Sequence, residues 1–176
     1  LEPLGPLSYA DAVRAFAEQA GALAAGGVDA ILIETMSDLN EAKAALEGAR
    51  QVTDLPVLVT MSFDTRGRTM MGVRPGAAVK ELWALGATAV GANCGRSLSE
   101  TLTAIQEMHQ AEPKAVLMAK PNAGLPQIED EQLVYDVSPE VMGEWSRMFV
   151  EQGVKIFGGC CGSTPAHIRA IAAALA

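Results

Sequence analysis

The chain has 176 residues and a formal net charge of −8 at pH 7, with 49% hydrophobic and 19% charged residues. This length and composition predict one globular domain over residues 1–176 and exclude a disordered chain. The negative charge argues against a nucleic-acid partner or an anionic membrane surface, and no apolar run approaches the roughly 18 residues of a membrane span.

Predicted helices and strands alternate along the whole chain. Apolar residues recur at helical spacing in several segments, the first of which follows Ser8, a residue type that caps helices. Short apolar runs bounded by turn residues predict strands between these segments. In chain order we expect a helix over 9–25, a strand over 30–33, a helix over 38–50, a strand over 55–61, a helix over 75–85, a strand over 88–92, a helix over 97–110, a strand over 115–119, a helix over 138–152, a strand over 155–157 and a helix from about 165.

Strands that alternate with helices predict an α/β fold with a parallel sheet and helices outside it. The repeat of roughly 25–35 residues is that of a (β/α)8 TIM barrel, in which the carboxyl ends of the strands carry the chemistry. Five β/α units are visible, so we expect a C-terminal portion of a barrel with open edges near 30–34 and 155–158. A long acidic loop, predicted over 125–137, follows the fourth strand, and such loops are often functional.

The three cysteines provide the strongest chemical signal. Cys94 ends the third predicted strand, and Cys160 and Cys161 follow the fifth, so one strand lies between the two positions. Strand ends two apart are separated by about 10 Å, and glycines beside Cys160 and Cys161 allow both thiols to face one point. Three thiolates with an open fourth position are typical of a catalytic zinc site, whereas burial as small core residues is the alternative. An odd number of cysteines fits a disulfide framework poorly and predicts a cytoplasmic location.

Four motifs resemble one known family. Residues 158–168 (GGCCGSTPAHI) resemble the C-terminal signature of zinc-dependent homocysteine S-methyltransferases, and residues 91–94 (GANC) resemble the first zinc-ligand motif of that family. Residues 31–36 and 120–126 are similar to the homocysteine-binding module of cobalamin-dependent methionine synthase. The resemblance covers essentially the whole chain. It implies a (β/α)8 barrel of which the first three strands precede this sequence.

The resemblance also implies specific roles. Cys94, Cys160 and Cys161 would bind Zn²⁺, and the thiol of homocysteine would take the fourth position and lose its proton. Glu34 would bind the ammonium group of the substrate, and Asn122 would approach the zinc or hold the substrate. The alternatives are a helix-capping or solvent-facing acid for Glu34 and a turn residue for Asn122.

Other polar residues are expected to play lesser parts. Ser62 and Asp64 end a strand on the same face without being expected to contact the substrate directly. Asn93 is expected to orient the thiolate of its neighbour Cys94. His167 lies in the last helix near the cysteines, and we expect it to be structural because three cysteines already complete the protein ligand set.

The predicted reaction is methyl transfer to homocysteine to form methionine. Several methyl donors serve this family, and the similarity of residues 120–126 to the methionine synthase module favours cobalamin, carried on another domain. Two alternatives remain open at this point. One is a zinc-binding barrel fragment without catalysis, and the other is a barrel lyase that forms a Schiff base through Lys120.

Overall fold

The computed structural model describes residues 1–176, apart from the side chain of Glu129. Six helices and seven strands follow one another along the chain. The helices are α1 Tyr9–Ala25, α2 Leu39–Val52, α3 Pro75–Ala84, α4 Leu98–Ala111, α5 Pro139–Glu151 and α6 Pro165–Leu175. The strands are β1 Ile31–Met36, β2 Val57–Met61, β3 Ala89–Cys94, β4 Leu117–Pro121, β5 Gln127–Glu129, β6 Gln132–Val134 and β7 Val154–Phe157.

Five strands form one parallel sheet in the order β1-β2-β3-β4-β7. Each strand is followed by a helix, which confirms the prediction of five β/α units, and β1 and β7 are the two edges, as expected. Because all five strands are parallel, their carboxyl ends meet at one edge of the sheet. That edge carries Cys94, and the residues that follow β7 bring Cys160 and Cys161 to it.

The prediction of a loop over residues 125–137 was incomplete. This segment contains a short antiparallel hairpin in which β5 pairs with β6, with Ile128 opposite Leu133. Each strand has only three residues, and Ile128 and Leu133 are 80% and 63% exposed. Such a hairpin buries no face, so it leaves no alternation of buried and exposed residues for a sequence pattern to detect.

Side-chain caps fix where the helices begin. Ser8 accepts a hydrogen bond from the backbone N–H of Asp11, and Asp38 accepts from the N–H groups of Asn40 and Glu41 at the start of α2. Ser97 accepts from the N–H of Glu100 at the start of α4. A polar oxygen at this position satisfies a backbone N–H that has no partner within the helix, which sets the point at which each strand-to-helix loop ends.

The two faces of the sheet have different environments. Val57, Val59 and Val90 point into the main hydrophobic core with their side chains fully buried. By contrast, Leu32 of the edge strand β1 is 40% exposed. The face of the sheet that carries these valines therefore packs against the helices. Among the described residues, none of the helices combines the length and apolar character that crossing a membrane requires.

Candidate metal centre

Three cysteine thiols converge at the carboxyl edge of the sheet. The Sγ atoms of Cys94, Cys160 and Cys161 all lie within 4.8 Å of one another, and the Cys94 and Cys160 sulfurs are 3.2 Å apart. Cys94 is the last residue of β3, and the other two follow β7, with β4 between them. The structure therefore brings together the three residues that the sequence singled out. Burial as isolated core residues does not apply, since Cys94 and Cys160 are partly exposed and Cys161 is exposed.

Backbone conformation turns these thiols toward one another. Cys94 adopts a left-handed conformation with φ of 57°, which is uncommon for a residue other than glycine, and Gly95 follows at 78°. After β7, the N–H of Cys160 donates to the carbonyl of Pro121 at 2.9 Å, which ties this turn to the end of β4. The N–H of Ser163 then donates to the carbonyl of Cys160 at 3.1 Å.

The glycines around the adjacent cysteines act differently from one another. Gly162 has φ of 78°, and a Cβ there would overlap the ring of Tyr135. A Cβ at Gly159 would overlap Ser163, whereas one at Gly158 would make only ordinary contacts with Lys120. Glycine is therefore required at position 159 because of close packing, and at position 162 because of both packing and backbone conformation.

Asn93 connects the edge strand β1 to two of the sulfurs. Its side chain is 1% exposed, and its Nδ2 donates to the Thr35 hydroxyl at 2.6 Å and approaches Cys94 Sγ at 3.4 Å and Cys160 Sγ at 3.7 Å. Its Oδ1 accepts from the backbone N–H of Thr35 at 3.0 Å. N–H groups aimed at sulfur stabilise the thiolate form, so the role expected for Asn93 has a geometric basis.

Asn122 joins the two cysteine-bearing segments. Its Nδ2 donates to the carbonyl of Gly95 at 3.0 Å, and its Oδ1 accepts from the N–H of Cys161 at 3.0 Å. The side chain is 9% exposed. In this structure Asn122 is therefore engaged with the main chain on both sides, and it fixes the spacing between the segment after β3 and the segment after β7.

Glu34 and Lys120 form an ion pair at the same edge. Lys120 Nζ donates to Glu34 Oε1, and their side chains are 20% and 34% exposed respectively. Lys120 is the register partner of Asn93 on the neighbouring strand, and Glu34 directly precedes Thr35. This contact gives Lys120 a carboxylate partner, which is not the environment of an amine free to attack a carbonyl.

The thiols differ in their tendency to ionise. Burial, followed by the hydrogen bond and charge of Cys160, raises the pKa of Cys94 to about 12. Burial and the charge of Cys160 also raise the pKa of Cys161. Burial opposes ionisation of Cys160 as well, but hydrogen bonds from Cys94 and Asn93 lower its pKa below the usual value. Cys160 is therefore the first of the three thiols to ionise in the metal-free cluster.

The donor set fits zinc. Tetrahedral coordination with Zn–S bonds of about 2.3 Å separates the sulfurs by about 3.8 Å. The observed 3.2 Å between two sulfurs and the 4.8 Å limit for the set bracket that value, so small rotations of the side chains suffice. Three thiolate ligands leave one tetrahedral position for a further ligand, and soft sulfur donors favour zinc over magnesium or calcium.

Other residues that the sequence singled out lie apart from the cluster in their contacts. His167 is 6% exposed; its Nδ1 contacts Thr164 at the start of α6 and its Nε2 is 2.9 Å from the carbonyl of Val137, so the expected structural role is confirmed. Ser62 is buried, and the Asp64 carboxylate accepts from Thr65.

Two contributors to the site were not identified from the sequence. Thr35, at φ of 62°, holds Asn93, and Tyr135 covers the turn at Gly162. Thr35 follows Glu34 directly, which was the available signal, but its partner lies 58 residues away on β3. Tyr135 belongs to the segment after the unrecognised hairpin.

Fold and site together define an α/β protein built like part of a (β/α)8 barrel, with a cluster of three cysteine thiols at the carboxyl ends of its strands. Residues 2–175 match the homocysteine S-methyltransferase family, and the chain belongs to this enzyme family, which confirms the resemblance of its motifs.

Known proteins agree with this assignment. The chain is 36% identical over 184 aligned positions to methionine synthase of Mycobacterium tuberculosis and 35% identical to that of Mycobacterium leprae. These matches include all of this chain but only 15% of the length of each relative.

Solved structures confirm the fold. The apo form of the homocysteine methyltransferase MmuM from Escherichia coli superposes with a TM-score of 0.73 and 23% identity, covering 92% of this chain and 57% of that one. Its metallated form gives a TM-score of 0.74 over 96% of this chain and 53% of that one. The chain therefore has the fold of part of a larger barrel-type protein.

Proposed function

We propose that this chain binds Zn²⁺ through Cys94, Cys160 and Cys161 and uses it to methylate the thiol of homocysteine, forming methionine. The observation that carries the proposal is the convergence of the three sulfurs within 4.8 Å at the carboxyl edge of the sheet. Zinc in that position supplies a soft Lewis acid that lowers the pKa of a thiol in the fourth position, which is otherwise near 8.5.

The chemistry asked of the protein is simple. The substrate thiol loses its proton, its sulfur lone pair forms the new S–CH₃ bond, and the bond between the methyl group and its donor breaks. Three cysteine thiolates on one divalent cation leave a net negative charge, which keeps a further sulfur donor electron-rich. Asn93 moderates the charge on Cys94 and Cys160 through its amide N–H groups. Asn122 keeps the two cysteine-bearing segments at a fixed separation.

Substrate selection is assigned to polar groups on the same edge. Glu34 is proposed to bind the ammonium group of homocysteine, since its carboxylate is partly exposed and the next residue, Thr35, binds Asn93. Asn122 is proposed to contact the substrate or the metal through its remaining acceptor capacity. We further propose that residues 1–176 act as one homocysteine-binding unit, which is supported by the family match over residues 2–175.

The methyl donor is proposed to be a cobalamin carried on a separate domain. The relatives named methionine synthase support this, because the chain matches only 15% of their length. Three thiol ligands need a reducing compartment, which supports a cytoplasmic location. The net charge of −8 supports the absence of nucleic-acid or anionic-membrane partners.

Zinc stoichiometry and methyl transfer test the proposal in parallel. We expect one zinc per chain by elemental analysis and methionine formation from homocysteine and methylcobalamin. Cys160→Ser and Cys161→Ser should lose both, whereas His109→Gln, which alters a potential ligand on α4, should lose neither. Full zinc retention in Cys160→Ser would refute the ligand assignment.

A second candidate function is zinc and homocysteine binding without methyl transfer by this chain alone. The specific observation in its favour is again that the chain spans 15% of the length of its methionine synthase relatives. Under this alternative, the chain binds one zinc and one homocysteine, and methionine forms only after the remaining domains of the relative are added. Turnover with free methylcobalamin would rule it out.

A further inference from the structure

His167 closes a ring of hydrogen bonds that passes through the turn carrying Cys161. The Cys161 carbonyl accepts from the N–H of Ala123 at 2.9 Å, and the Ala123 carbonyl accepts from the N–H of Val137 at 3.0 Å. His167 Nε2 lies 2.9 Å from the Val137 carbonyl, and His167 Nδ1 lies 3.1 Å from the backbone nitrogen of Thr164. Because Thr164 is only three residues after Cys161, the hydrogen-bond ring returns to the turn from which it started.

The two backbone partners of His167 fix the tautomer of its imidazole. A backbone N–H can only donate, so Nδ1 accepts from Thr164 and carries no proton. A carbonyl can only accept, so Nε2 carries the proton and donates to Val137. Since the side chain is 6% exposed, water has little access to either bond. Both nitrogens are therefore engaged, and His167 links the start of α6 to the segment that follows the hairpin.

The segment after the hairpin also packs against the turn. The side chain of Tyr135 lies on Gly162, where a Cβ would overlap it, and Gly162 directly follows Cys161. Tyr135 is two residues before Val137, so residues 135–137 contact the turn both through a side chain and through the hydrogen-bond ring. Among the three cysteines, Cys161 is the exposed one. Main-chain contacts, rather than burial of its own side chain, therefore hold Cys161 in place.

We propose that His167 is a positioning residue for the zinc ligand Cys161 and acts through residues 135–137, not by binding the metal. This inference rests on the proposed function and adds the residue that holds the most exposed ligand. The bond from Nε2 keeps Val137 in place, Val137 binds Ala123, and Ala123 holds the Cys161 carbonyl. Without the bond from Nε2 the turn is free to move, so the Cys161 sulfur is less often where zinc requires it.

Two amide side chains separate the two ends of the imidazole. Asparagine places an acceptor oxygen near the position of Nδ1, so His167→Asn keeps the bond from Thr164 and loses the one to Val137. Glutamine can place a donor nitrogen near the position of Nε2, so His167→Gln keeps the bond to Val137 and loses the one from Thr164. The control is Val79→Ala, a change in the main core on α3 that lowers stability without touching the hydrogen-bond ring.

Zinc affinity is measured by competition with a chelator, and the stability of the metal-free chain by urea unfolding. We expect His167→Asn to bind zinc about 10-fold more weakly than the parent chain, at the low end of the effect typical for residues that support metal ligands. His167→Gln should retain the parent affinity, although its urea midpoint should fall because α6 loses a cap. Val79→Ala should lower the urea midpoint and leave zinc affinity unchanged.

Alkylation of the zinc-loaded chains shows which ligand has loosened. Iodoacetamide reacts with thiolates that zinc releases transiently, and fragmentation of the peptides in a mass spectrometer assigns each modified cysteine. In His167→Asn, the alkylation rate of Cys161 should increase more than that of Cys94. An equal increase at all three cysteines would show a general loosening of the site and would refute the assigned role.

Three further results would overturn the inference, and they can be told apart. If Val79→Ala weakens zinc binding as much as His167→Asn does, His167 contributes only stability. If His167→Asn binds zinc as tightly as the parent chain, the link to Val137 does not position the ligand, whatever the result for His167→Gln. If the parent chain itself binds no zinc, the proposed function fails, and the inference fails with it.

Discussion

Asn93 offers the sharpest test of how the protein stabilises the thiol cluster. Asn93→Ala removes the partner of the Thr35 N–H at 3.0 Å, the donor to the Thr35 hydroxyl at 2.6 Å and the N–H groups near two sulfurs. Thr35 is exposed, so water can replace part of each contact, and each of the two lost hydrogen bonds costs about 0.5–1.5 kcal/mol. We therefore expect the free energy of unfolding of the metal-free chain to fall by about 1–3 kcal/mol.

Asn93→Asp separates this structural effect from the effect on sulfur. The aspartate keeps an oxygen that can accept from Thr35 but replaces the N–H groups facing Cys94 and Cys160 with negative charge. Zinc affinity should fall by about 10-fold to 100-fold, as is typical when a group that hydrogen-bonds to metal ligands is lost. Urea unfolding reports the stability of the metal-free form, and competition with a chelator reports zinc affinity.

A matched control is available on α2. Asn40→Ala changes the same residue type at an exposed position, so it should alter stability by less than about 0.5 kcal/mol and leave zinc affinity unchanged. If Asn93→Asp binds zinc as tightly as the parent chain, the amide does not support the thiolates. The reasoning from the N–H to sulfur distances would then be refuted.

Three further predictions concern the cysteine segments. The pKa of Cys94 is raised to about 12 and that of Cys161 is raised as well, so zinc must displace at least two thiol protons near neutral pH. Zinc affinity should therefore fall by about 100-fold per pH unit as the pH decreases from about 8 to 6. An affinity independent of pH in chelator competition would contradict this. Gly159→Ala should destabilise the chain by about 1–3 kcal/mol in urea unfolding, since the new Cβ overlaps Ser163. Adding Ser163→Gly should recover much of this loss. Strict additivity of the two changes would exclude the clash. Asn122→Ala removes a hydrogen bond of 3.0 Å to each cysteine-bearing segment. We expect the free energy of unfolding to fall by about 2–4 kcal/mol and zinc binding to weaken in a titration. Zinc affinity equal to that of the parent chain would show that other residues set the spacing between the two segments.

Sequence patterns predicted the sheet well because they depend on local chemistry. The apolar runs at β2 and β3 are buried in the structure, and glycines and caps mark the ends of the elements, so the five strands of the parallel sheet followed from periodicity. The convergence of Cys94 with Cys160 was predictable for a related reason, since parallel strands place their carboxyl ends at one edge.

The contacts that tune the site were less accessible to sequence analysis. Thr35 binds Asn93, and both Thr35 and Cys94 adopt left-handed backbone conformations, which are unusual for these residue types and leave no compositional signature. The pairing of Lys120 with Glu34 joins β4 to β1 across two other strands of the sheet. Sequence separation of 86 residues and two intervening strands hide such a pair from any local pattern.

Electrostatic repulsion between the three sulfurs is the main constraint on this site. Three sulfurs within 4.8 Å repel one another once ionised, and the raised pKa of Cys94 records that repulsion together with burial. Asn122 prevents the two cysteine-bearing segments from separating, and Asn93 offers N–H groups to the sulfurs of Cys94 and Cys160. A divalent cation offsets the repulsion between the sulfurs that these neutral groups cannot remove, because only opposite charge favours ionisation of all three thiols.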